Sequence, residues 1–273
     1  MRRIVTPYCS RGNVGKSTEA ALRGAWMDHL GIRWKGFDLS PDRRTLASAS
    51  SVVEAVRIRL DEEPQGELLR VLARILRDQD ADVFALDPMV NMAPLLDETL
   101  LSKAFLEEAA EAGMRITLLL FPMDDKEIMA EIDGAVQRLG EAVDYAVIRN
   151  RHSASKHQML EGSELERDLE RLRAPTILLG KLLTDTKNIM AAVAEEWREN
   201  GGNGVFGYAD ALSSSQMPRM HKYLLNDWMR KVWRQYQERS DVFLPEAVQS
   251  EQGEIARQEP AAKRRSFNLS SMR

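Results

Sequence analysis

The residues best suited to chemistry lie near the amino end, in the run Cys9-Ser10-Arg11-Gly12-Asn13-Val14-Gly15-Lys16-Ser17-Thr18. An apolar segment, residues 4–8, precedes this run and predicts a strand, and residues 16–30 predict a helix. A strand, a glycine turn, Gly-Lys-Ser and a helix form the order of a phosphate-binding loop. In such a loop, successive backbone N–H groups and the positive end of the helix hold phosphate oxygens.

Each residue type in this run suits one part of a nucleotide. We predict that Lys16 reaches the β- and γ-phosphates, that the Ser17 hydroxyl binds Mg²⁺ and that Thr18 touches the α-phosphate. The predicted cofactors are therefore ATP and Mg²⁺. The loop residues predicted to bind nucleotide are Arg11, Gly12, Asn13, Val14, Gly15, Lys16, Ser17 and Thr18. The alternative is a glycine turn that arose by chance.

The composition is that of an ordinary globular domain, with 273 residues, 44% apolar and 29% charged. No apolar run approaches the roughly 20 residues that a spanning helix needs, so we expect no transmembrane segment. The first residues show no apolar core of a signal peptide. The single cysteine excludes an intramolecular disulfide and fits a reducing cytoplasm. The four histidines have no zinc-like spacing.

Predicted strands alternate with predicted helices along most of the chain, which indicates a parallel sheet with helices on both faces. We therefore predict an α/β nucleotide-binding domain over residues 1–200, a C-terminal helical extension over 201–244 and a disordered tail over 245–273. The extension is predicted to consist of a Gly/Ser-rich connection over 201–215 and a basic amphipathic helix that packs on or beside the domain. The predicted strands are 4–8, 32–39, 83–88, 116–122, 144–150 and 176–179, and the predicted helices between and after them are 16–30, 51–60, 67–77, 97–112, 126–139, 156–172 and 186–199.

Several polar residues fall where predicted strands end. Asp38, Asp87 and Asn150 each close a strand, and Arg151 follows directly. Because ligands of open parallel sheets bind outside the carboxyl ends of the strands, we expect these residues to meet the loop in one site.

The loop resembles the variant K-G-G-x-G-K-[ST] that marks the ParA/MinD superfamily of dimerising ATPases. Arg11 stands at the first lysine of that pattern, Asn13 at the second glycine, and Ser10 where the common pattern G-x-x-x-x-G-K-[ST] has glycine. The form Ser-x-Gly-Asn-Val-Gly-Lys-Ser is also similar to the loop of plasmid StbB-type proteins. The basic C-terminal helix resembles the end of StbB- and TraL-type proteins.

This resemblance implies a P-loop fold, slow ATP hydrolysis and a homodimer formed across the nucleotide. It assigns catalytic roles to Lys16, Arg11 and Asp38: Arg11 would reach the partner's nucleotide, and Asp38 would orient a Mg²⁺-bound water. Asp87 would support the metal through water. The second acid of the family's Asp-x-Asp-Pro is replaced by Ser40, and Asp42 lies two residues later.

The same resemblance gives Asn150 the role of reading the adenine edge, with Arg151 beside it. An asparagine amide both donates and accepts hydrogen bonds, which suits adenine. Simpler roles stay open for four of these residues. Arg11 would then support its own loop, Asp38 would be a strand-end turn or cap residue, Asp87 would begin an ordinary Asp-Pro turn, and Asn150 would belong to a turn.

The charge is uneven along the chain. From Gln216 onward there are 11 Lys/Arg against 7 Asp/Glu, whereas the whole chain carries −4. In this region Met217, Met220, Leu224, Trp228, Val232 and Tyr236 recur at helical spacing, and Arg219, Lys222, Arg230, Lys231 and Arg234 occupy the other face. The apolar stripe either packs on the sheet or forms a dimer, partner or membrane surface. The basic C-terminal part suggests an acidic partner, whether nucleic acid, lipid headgroups or protein, and we expect a protein partner or DNA. The alternative is a solvated helix and tail without a partner.

Three functions fit these features. The first is an ATP-switched dimeric ATPase of plasmid partition, plasmid stability or conjugative transfer. The second is a nucleotide-dependent adaptor or scaffold that does not hydrolyse ATP, which Ser40 favours. The third is a metabolic P-loop ligase or kinase, for which the sequence offers no second catalytic constellation.

Overall fold

The computed structural model describes residues 1–40, 45–151, 157–203, 205–246 and 248. Within these ranges seven strands form one sheet in the order β3-β2-β4-β1-β5-β6-β7, and every pairing is parallel. The strands are β1 (Arg2–Tyr8), β2 (Trp34–Asp38), β3 (Val53–Ala55), β4 (Val83–Asp87), β5 (Met114–Leu120), β6 (Asp144–Asn150) and β7 (Thr176–Leu179).

The described α-helices connect the strands and extend the chain beyond them. They are α1 (Lys16–His29), α2 (Pro64–Arg77), α3 (Ala93–Glu98), α4 (Lys103–Glu111), α5 (Lys126–Leu139), α6 (Glu164–Arg171), α7 (Thr184–Glu199), α8 (Tyr208–Ser213) and α9 (Arg219–Glu238). The predicted fold class, a parallel α/β sheet with a helical C-terminal extension, is confirmed.

The strand order places helices on both faces. After β1 the chain moves toward β2 and β3, whereas from β4 it moves the other way through β5, β6 and β7. Because parallel crossovers are right-handed, connections that run in opposite directions lie on opposite faces. The contacts agree: α1 lies against α8 and α9, while α2 lies against α3 and α5 against α6. The carboxyl ends of β1 and β4 therefore flank the point where the direction reverses, where ligands of such sheets bind.

Some predicted element boundaries were wrong. The helix predicted over residues 51–60 is instead the edge strand β3, followed by irregular chain. Val53 pairs with Gly36 of β2 there, and β-branched valines favour a strand. The helix predicted over 97–112 is two helices, because the Ser102 hydroxyl accepts a hydrogen bond from the Phe105 amide (3.3 Å) and begins a new helix.

The C-terminal chain also differs from the prediction. The connection predicted over residues 201–215 contains the short helix α8. The start of the predicted helix at 156–172 and the predicted tail beyond residue 248 lie outside the described residues. None of the helices in the described ranges combines the length and the apolarity that crossing a bilayer requires.

Helix α9 packs against the domain rather than standing apart from it. Leu225, Met229 and Val232 are buried along its inner side. The Trp228 indole donates to the Gly180 carbonyl (2.6 Å), and the Trp233 indole donates to the Leu22 carbonyl of α1 (3.0 Å). The apolar stripe therefore serves the core of this chain.

Two outward residues of α9 depart from that pattern. Met220, predicted to belong to the apolar stripe, is 65% exposed, and Tyr223 is 64% exposed. Of the predicted basic face, Arg219, Arg230, Lys231 and Arg234 are exposed and Lys222 is half-buried.

The segment after α9 is anchored at the amino end of the sheet by Arg3. This side chain is 7% exposed, and its Nη1 donates to Asp144 Oδ2 at 2.6 Å. Its Nε donates to the Leu244 carbonyl at 3.0 Å, and its Nη2 donates to the Asp241 carbonyl. Burial acts to raise the pKa of Asp144, but hydrogen bonds from Arg115 and Arg3 outweigh it and hold that pKa below 3.8.

We predict that Arg3→Met lowers the free energy of unfolding by about 2–4 kcal/mol at pH 7, because it leaves buried acceptors without their donor. The depressed pKa of Asp144 means that the ion pair stabilises above pH 3.8 and is lost as the pH falls through the folded pKa. The difference from wild type should therefore shrink in acid. Urea denaturation of the wild type and the variant, from pH 7 to below pH 3.8, measures this difference in unfolding free energy.

Arg33→Met is the matched control, since Arg33 also pairs with a carboxylate (Asp82, 2.7 Å) but is 63% exposed. An exposed pair contributes about 0–1 kcal/mol. Equal losses in the two variants would contradict the anchoring role of Arg3.

Candidate functional site

The loop between β1 and α1 has the backbone that phosphate binding requires. Gly15 has φ +101° and Asn13 has φ +60°, both in the left-handed region. Glycine adopts this region without strain, and asparagine tolerates it better than most residues. The Gly15 carbonyl accepts the first helical hydrogen bond, from the Glu19 amide (2.9 Å). The turn thus leads directly into α1, whose N-terminus faces the loop.

The Lys16 side chain lies inside the loop. It is 8% exposed, and its Nζ donates to the carbonyls of Cys9 (3.0 Å) and Arg11 (2.7 Å). Burial lowers the pKa of Lys16, and the charge of nearby Asp87 acts in the opposite direction. A positive charge is therefore held among backbone groups at the amino end of a helix, where anions bind.

Asp87 is the buried acid at the end of β4, and its carboxyl is 4% exposed. Burial raises the pKa of Asp87 to about 6; a hydrogen bond from Ser17 opposes the rise, and the charges of Asp38 and Glu19 add to it. Among the described residues its Oδ1 has no hydrogen-bond partner. A buried carboxylate oxygen without a donor is costly to keep, and a cation beside it would relieve that cost.

The residues present therefore fit a Mg²⁺ ion. The metal prefers oxygen ligands, and it commonly takes one or two from the protein and the rest from phosphate and water. Asp87 and the adjacent Ser17 hydroxyl offer such oxygens. Among the described residues there is no group of three or more His, Cys, Asp or Glu that would bind a metal ion without ligands from phosphate and water.

Asp38 lies in register beside Asp87 on the neighbouring strand and is 1% exposed. Its carboxylate accepts hydrogen bonds from the backbone amides of Ser40 (3.2 Å), Leu46 (2.9 Å) and Ala47 (3.1 Å). This geometry holds the ends of the loop after β2 together. The role of Asp38 toward a metal-bound water stays a prediction, and Asp42 lies outside the described residues.

The Arg11 side chain forms an ion pair within its own chain. Its Nη2 lies 3.3 Å from Asp125 Oδ2, and the side chain is 55% exposed. The other oxygen of Asp125 caps α5 by accepting from the Glu127 amide (3.0 Å). Supporting the loop is therefore one observed role of Arg11, and the reach to a partner's nucleotide stays a prediction.

Asn150 braces the loop from β6. Its Nδ2 donates to the Val14 carbonyl at 2.8 Å, and a Cβ on Gly15 would stand 2.3 Å from that nitrogen. The Arg151 amide donates to the Leu179 carbonyl (3.0 Å), and its side chain is exposed. Recognition of adenine by these residues stays a prediction.

Two hydrogen bonds to the loop were not predicted from the sequence. The Ser10 amide donates to Glu131 Oε1 of α5 (2.9 Å), and the Ser10 carbonyl accepts from the Asn91 amide after β4 (3.1 Å). Glu131 lies within a regular amphipathic helix, so only the packing of α5 reveals its role. Asn91 has φ +64°, which a turn asparagine tolerates.

The structure thus brings the loop, Asp38, Asp87 and Asn150 to one edge of the sheet, as we expected from the strand ends. What this site can do is hold an anion on backbone amides and Lys16 while offering a buried carboxylate oxygen to a cation.

We predict that Gly15→Ala disrupts the loop more than Gly31→Ala disrupts its own turn. Both glycines have positive φ, but a Cβ on Gly31 meets nothing within 4 Å. Gly31→Ala should therefore cost only the backbone strain, about 1–2 kcal/mol. Gly15→Ala should lose more unfolding free energy and also ATP affinity. Thermal denaturation and nucleotide titration measure both, and equal behaviour of the two variants would refute the tight contact with Asn150.

We predict that Asp87→Asn stabilises the metal-free protein and weakens Mg²⁺-dependent ATP binding. Because the folded pKa of about 6 exceeds the ordinary 3.8, the ionised carboxyl destabilises the fold above pH 6, and this cost disappears as the pH falls below 3.8. The variant should gain about 2–3 kcal/mol at pH 7. Urea denaturation with EDTA at pH 7 and pH 4 tests the first part, and ATP titration with and without Mg²⁺ tests the second.

No protein-family model and no curated protein matches the sequence. Among solved structures, the chain is similar to the MinD cell division protein of Aquifex aeolicus, with 13% identity over 84% of this chain and 95% of that one, at a TM-score of 0.40. It is also similar to the MinD of Pyrococcus horikoshii OT3 complexed with Mg-ADP, with 13% identity over 83% of this chain and 96% of that one, at a TM-score of 0.41. A ParA family ATPase from Chlorobium tepidum TLS is similar with 10% identity over 84% of this chain and 99% of that one, at a TM-score of 0.41. At TM-scores near 0.4, function has to be argued from the residues of this chain.

Proposed function

We propose that this chain is an ATP-binding, Mg²⁺-dependent P-loop ATPase that dimerises on nucleotide. One juxtaposition supports the proposal most directly. The loop around Lys16, in which Gly15 has a left-handed φ, lies beside Asp87, which is hydrogen-bonded to Ser17. The Oδ1 of Asp87 has no hydrogen-bond partner among the described residues. One group suits a triphosphate and the other suits its metal.

In this proposal different residues bind the phosphates, bind the metal and support the neighbouring loop. Loop amides and Lys16 bind the phosphates, which requires the Lys16 ammonium to exchange its carbonyl partners for phosphate oxygens. Mg²⁺, when bound, neutralises charge on the β- and γ-phosphates. Ser17 and Asp87 hold it, and Asp38 fixes the neighbouring loop.

Arg11 is the proposed contact across the dimer. Its pair with Asp125 is exposed, and such pairs contribute only about 0–1 kcal/mol. Release of Arg11 toward a phosphate on a second subunit is therefore energetically cheap, and a guanidinium binds phosphate oxygens in a bidentate way.

Hydrolysis is proposed to be slow, because Ser40 stands where the ParA/MinD pattern has its second acid. Ser40 supplies no carboxylate to a water, and its amide is bonded to Asp38. The same observation favours the second candidate, a nucleotide-dependent adaptor or scaffold without hydrolysis. Phosphate release above a Lys16→Ala background would exclude the adaptor.

The cellular role is proposed from the loop sequence and its similarity to StbB-type proteins. It is plasmid partition or stability, or conjugative transfer, in the cytoplasm. The outward side of α9, with Arg219, Arg230, Lys231 and Arg234 exposed, is the proposed contact for a protein partner or DNA.

We predict that ATP with Mg²⁺ converts the wild type to a dimer, that Lys16→Ala weakens ATP binding by roughly tenfold or more, and that Arg11→Ala binds ATP but stays monomeric. Loss of one charge-assisted hydrogen bond to phosphate costs about 1.5–3 kcal/mol, or roughly tenfold or more in affinity. Equilibrium dialysis measures binding, and sedimentation velocity measures association.

Arg70→Ala is the matched control, because Arg70 is an exposed arginine of α2 paired with Glu67. It should behave as the wild type in both measurements. A wild type that binds ATP without any change in sedimentation would refute the dimer switch and leave the nucleotide site standing.

A further inference from the structure

A buried charge pair lies in α1 just after the phosphate loop. Glu19 and Arg23 are both 0% exposed, and Arg23 Nε and Nη2 donate to the two carboxylate oxygens of Glu19 at 2.9 and 3.2 Å. Arg23 Nη1 is also buried and has no hydrogen-bond partner in the part of the chain that the structure describes. The guanidinium therefore keeps one NH₂ group without an acceptor from these residues in the interior of the domain.

A residue of the C-terminal extension completes this cluster. The Tyr236 hydroxyl of α9 donates to Glu19 Oε1 at 3.1 Å, and Tyr236 is 0% exposed. Its ring packs on Trp26 of α1 (5.3 Å between ring centres) and on Phe243 (5.0 Å). The carboxylate that receives the hydroxyl thus belongs to the helix that begins at Lys16, while the hydroxyl belongs to α9.

Glu19 is also close to the nucleotide site. Its amide bonds the carbonyl of Gly15 inside the loop, and it lies one turn after Lys16. Glu19 therefore contacts the phosphate loop through its backbone amide and α9 through its carboxylate.

This cluster is poorly explained as a source of stability. A buried ion pair commonly contributes no more than apolar residues of similar volume, because desolvation offsets the attraction. The unsatisfied Nη1 adds a further cost. In a low-dielectric interior, however, the pair responds strongly to charge placed nearby. The Tyr236 hydroxyl donates to the carboxylate in this structure, and a tyrosine hydroxyl can also accept from an N–H donor.

We propose that the Glu19–Arg23–Tyr236 cluster couples the phosphate loop to α9, so that binding of a nucleoside triphosphate with Mg²⁺ changes the stability of α9. This inference rests on the proposed function. Negative charge at the loop repels Glu19 and attracts Arg23, and Tyr236 transmits the altered arrangement to α9. Because coupling between two sites is reciprocal, changes in α9 also alter nucleotide affinity.

Hydrogen–deuterium exchange of the full-length chain, with and without ATP and Mg²⁺, tests the coupling. We expect nucleotide to change exchange rates within α9 by about fivefold or more in the wild type, the lower range of measured couplings. Tyr236→Phe removes only the hydroxyl and should lose this response while the loop itself still becomes protected.

Tyr145→Phe is the matched control, because the Tyr145 hydroxyl of β6 is also buried but has no hydrogen-bond partner within the described ranges. It should respond as the wild type does. Should Tyr236→Phe fold poorly, the double variant Glu19→Met/Arg23→Met replaces the charges with apolar side chains and is expected to lose the response in the same way.

The outcomes separate the inference from the proposed function. ATP binding by the wild type, measured by equilibrium dialysis, together with unchanged exchange in α9 would overturn the coupling alone. A full response in Tyr236→Phe would also overturn it. Absence of ATP binding by the wild type would overturn the proposed function and the coupling together.

Discussion

The site depends on the close approach of the Asn150 side chain to the loop backbone at Gly15. The loop carbonyl of Val14 is bonded by the Asn150 amide of β6, and no side-chain atom fits between Gly15 and that amide. A left-handed φ at Gly15 then turns the chain into α1 within one residue. A loop held in this way has its amides arranged before any ligand arrives, which lowers the ordering cost of binding an anion.

Around this loop the domain buries three charged side chains. Lys16 donates to backbone carbonyls, Asp38 accepts from loop amides, and one oxygen of Asp87 has no partner among the described residues. Buried ionisable groups with perturbed pKa values are typical of functional sites. Their concentration at the point where the strand order reverses, rather than any single contact, marks the carboxyl edge of the sheet as the candidate site.

The C-terminal extension is part of the same structural unit. Helix α9 bonds to α1 and to the segment after β7, and the chain that follows it is bonded by Arg3 at the opposite edge of the sheet. Since α1 begins at the phosphate loop and packs against α9, the extension contacts the one helix that a bound nucleotide would touch first. Its outward residues stay accessible while its inner residues serve the core.

The sequence by itself determined the phosphate loop, the alternation of strands and helices, and the strand ends at Asp38, Asp87 and Asn150, because local spacing and short-range turn chemistry are sufficient for these features. It failed at residues 51–60, where the pairing of β3 with β2 overrode a helical pattern. Only the tertiary structure decided the partners of Glu131, the bracing of Val14 by Asn150 and the contact of Tyr236 with Glu19, which is 217 residues away in the sequence. Contacts at such separation depend on how helices pack on the sheet, and periodicity along one segment does not encode which distant side chain it will meet.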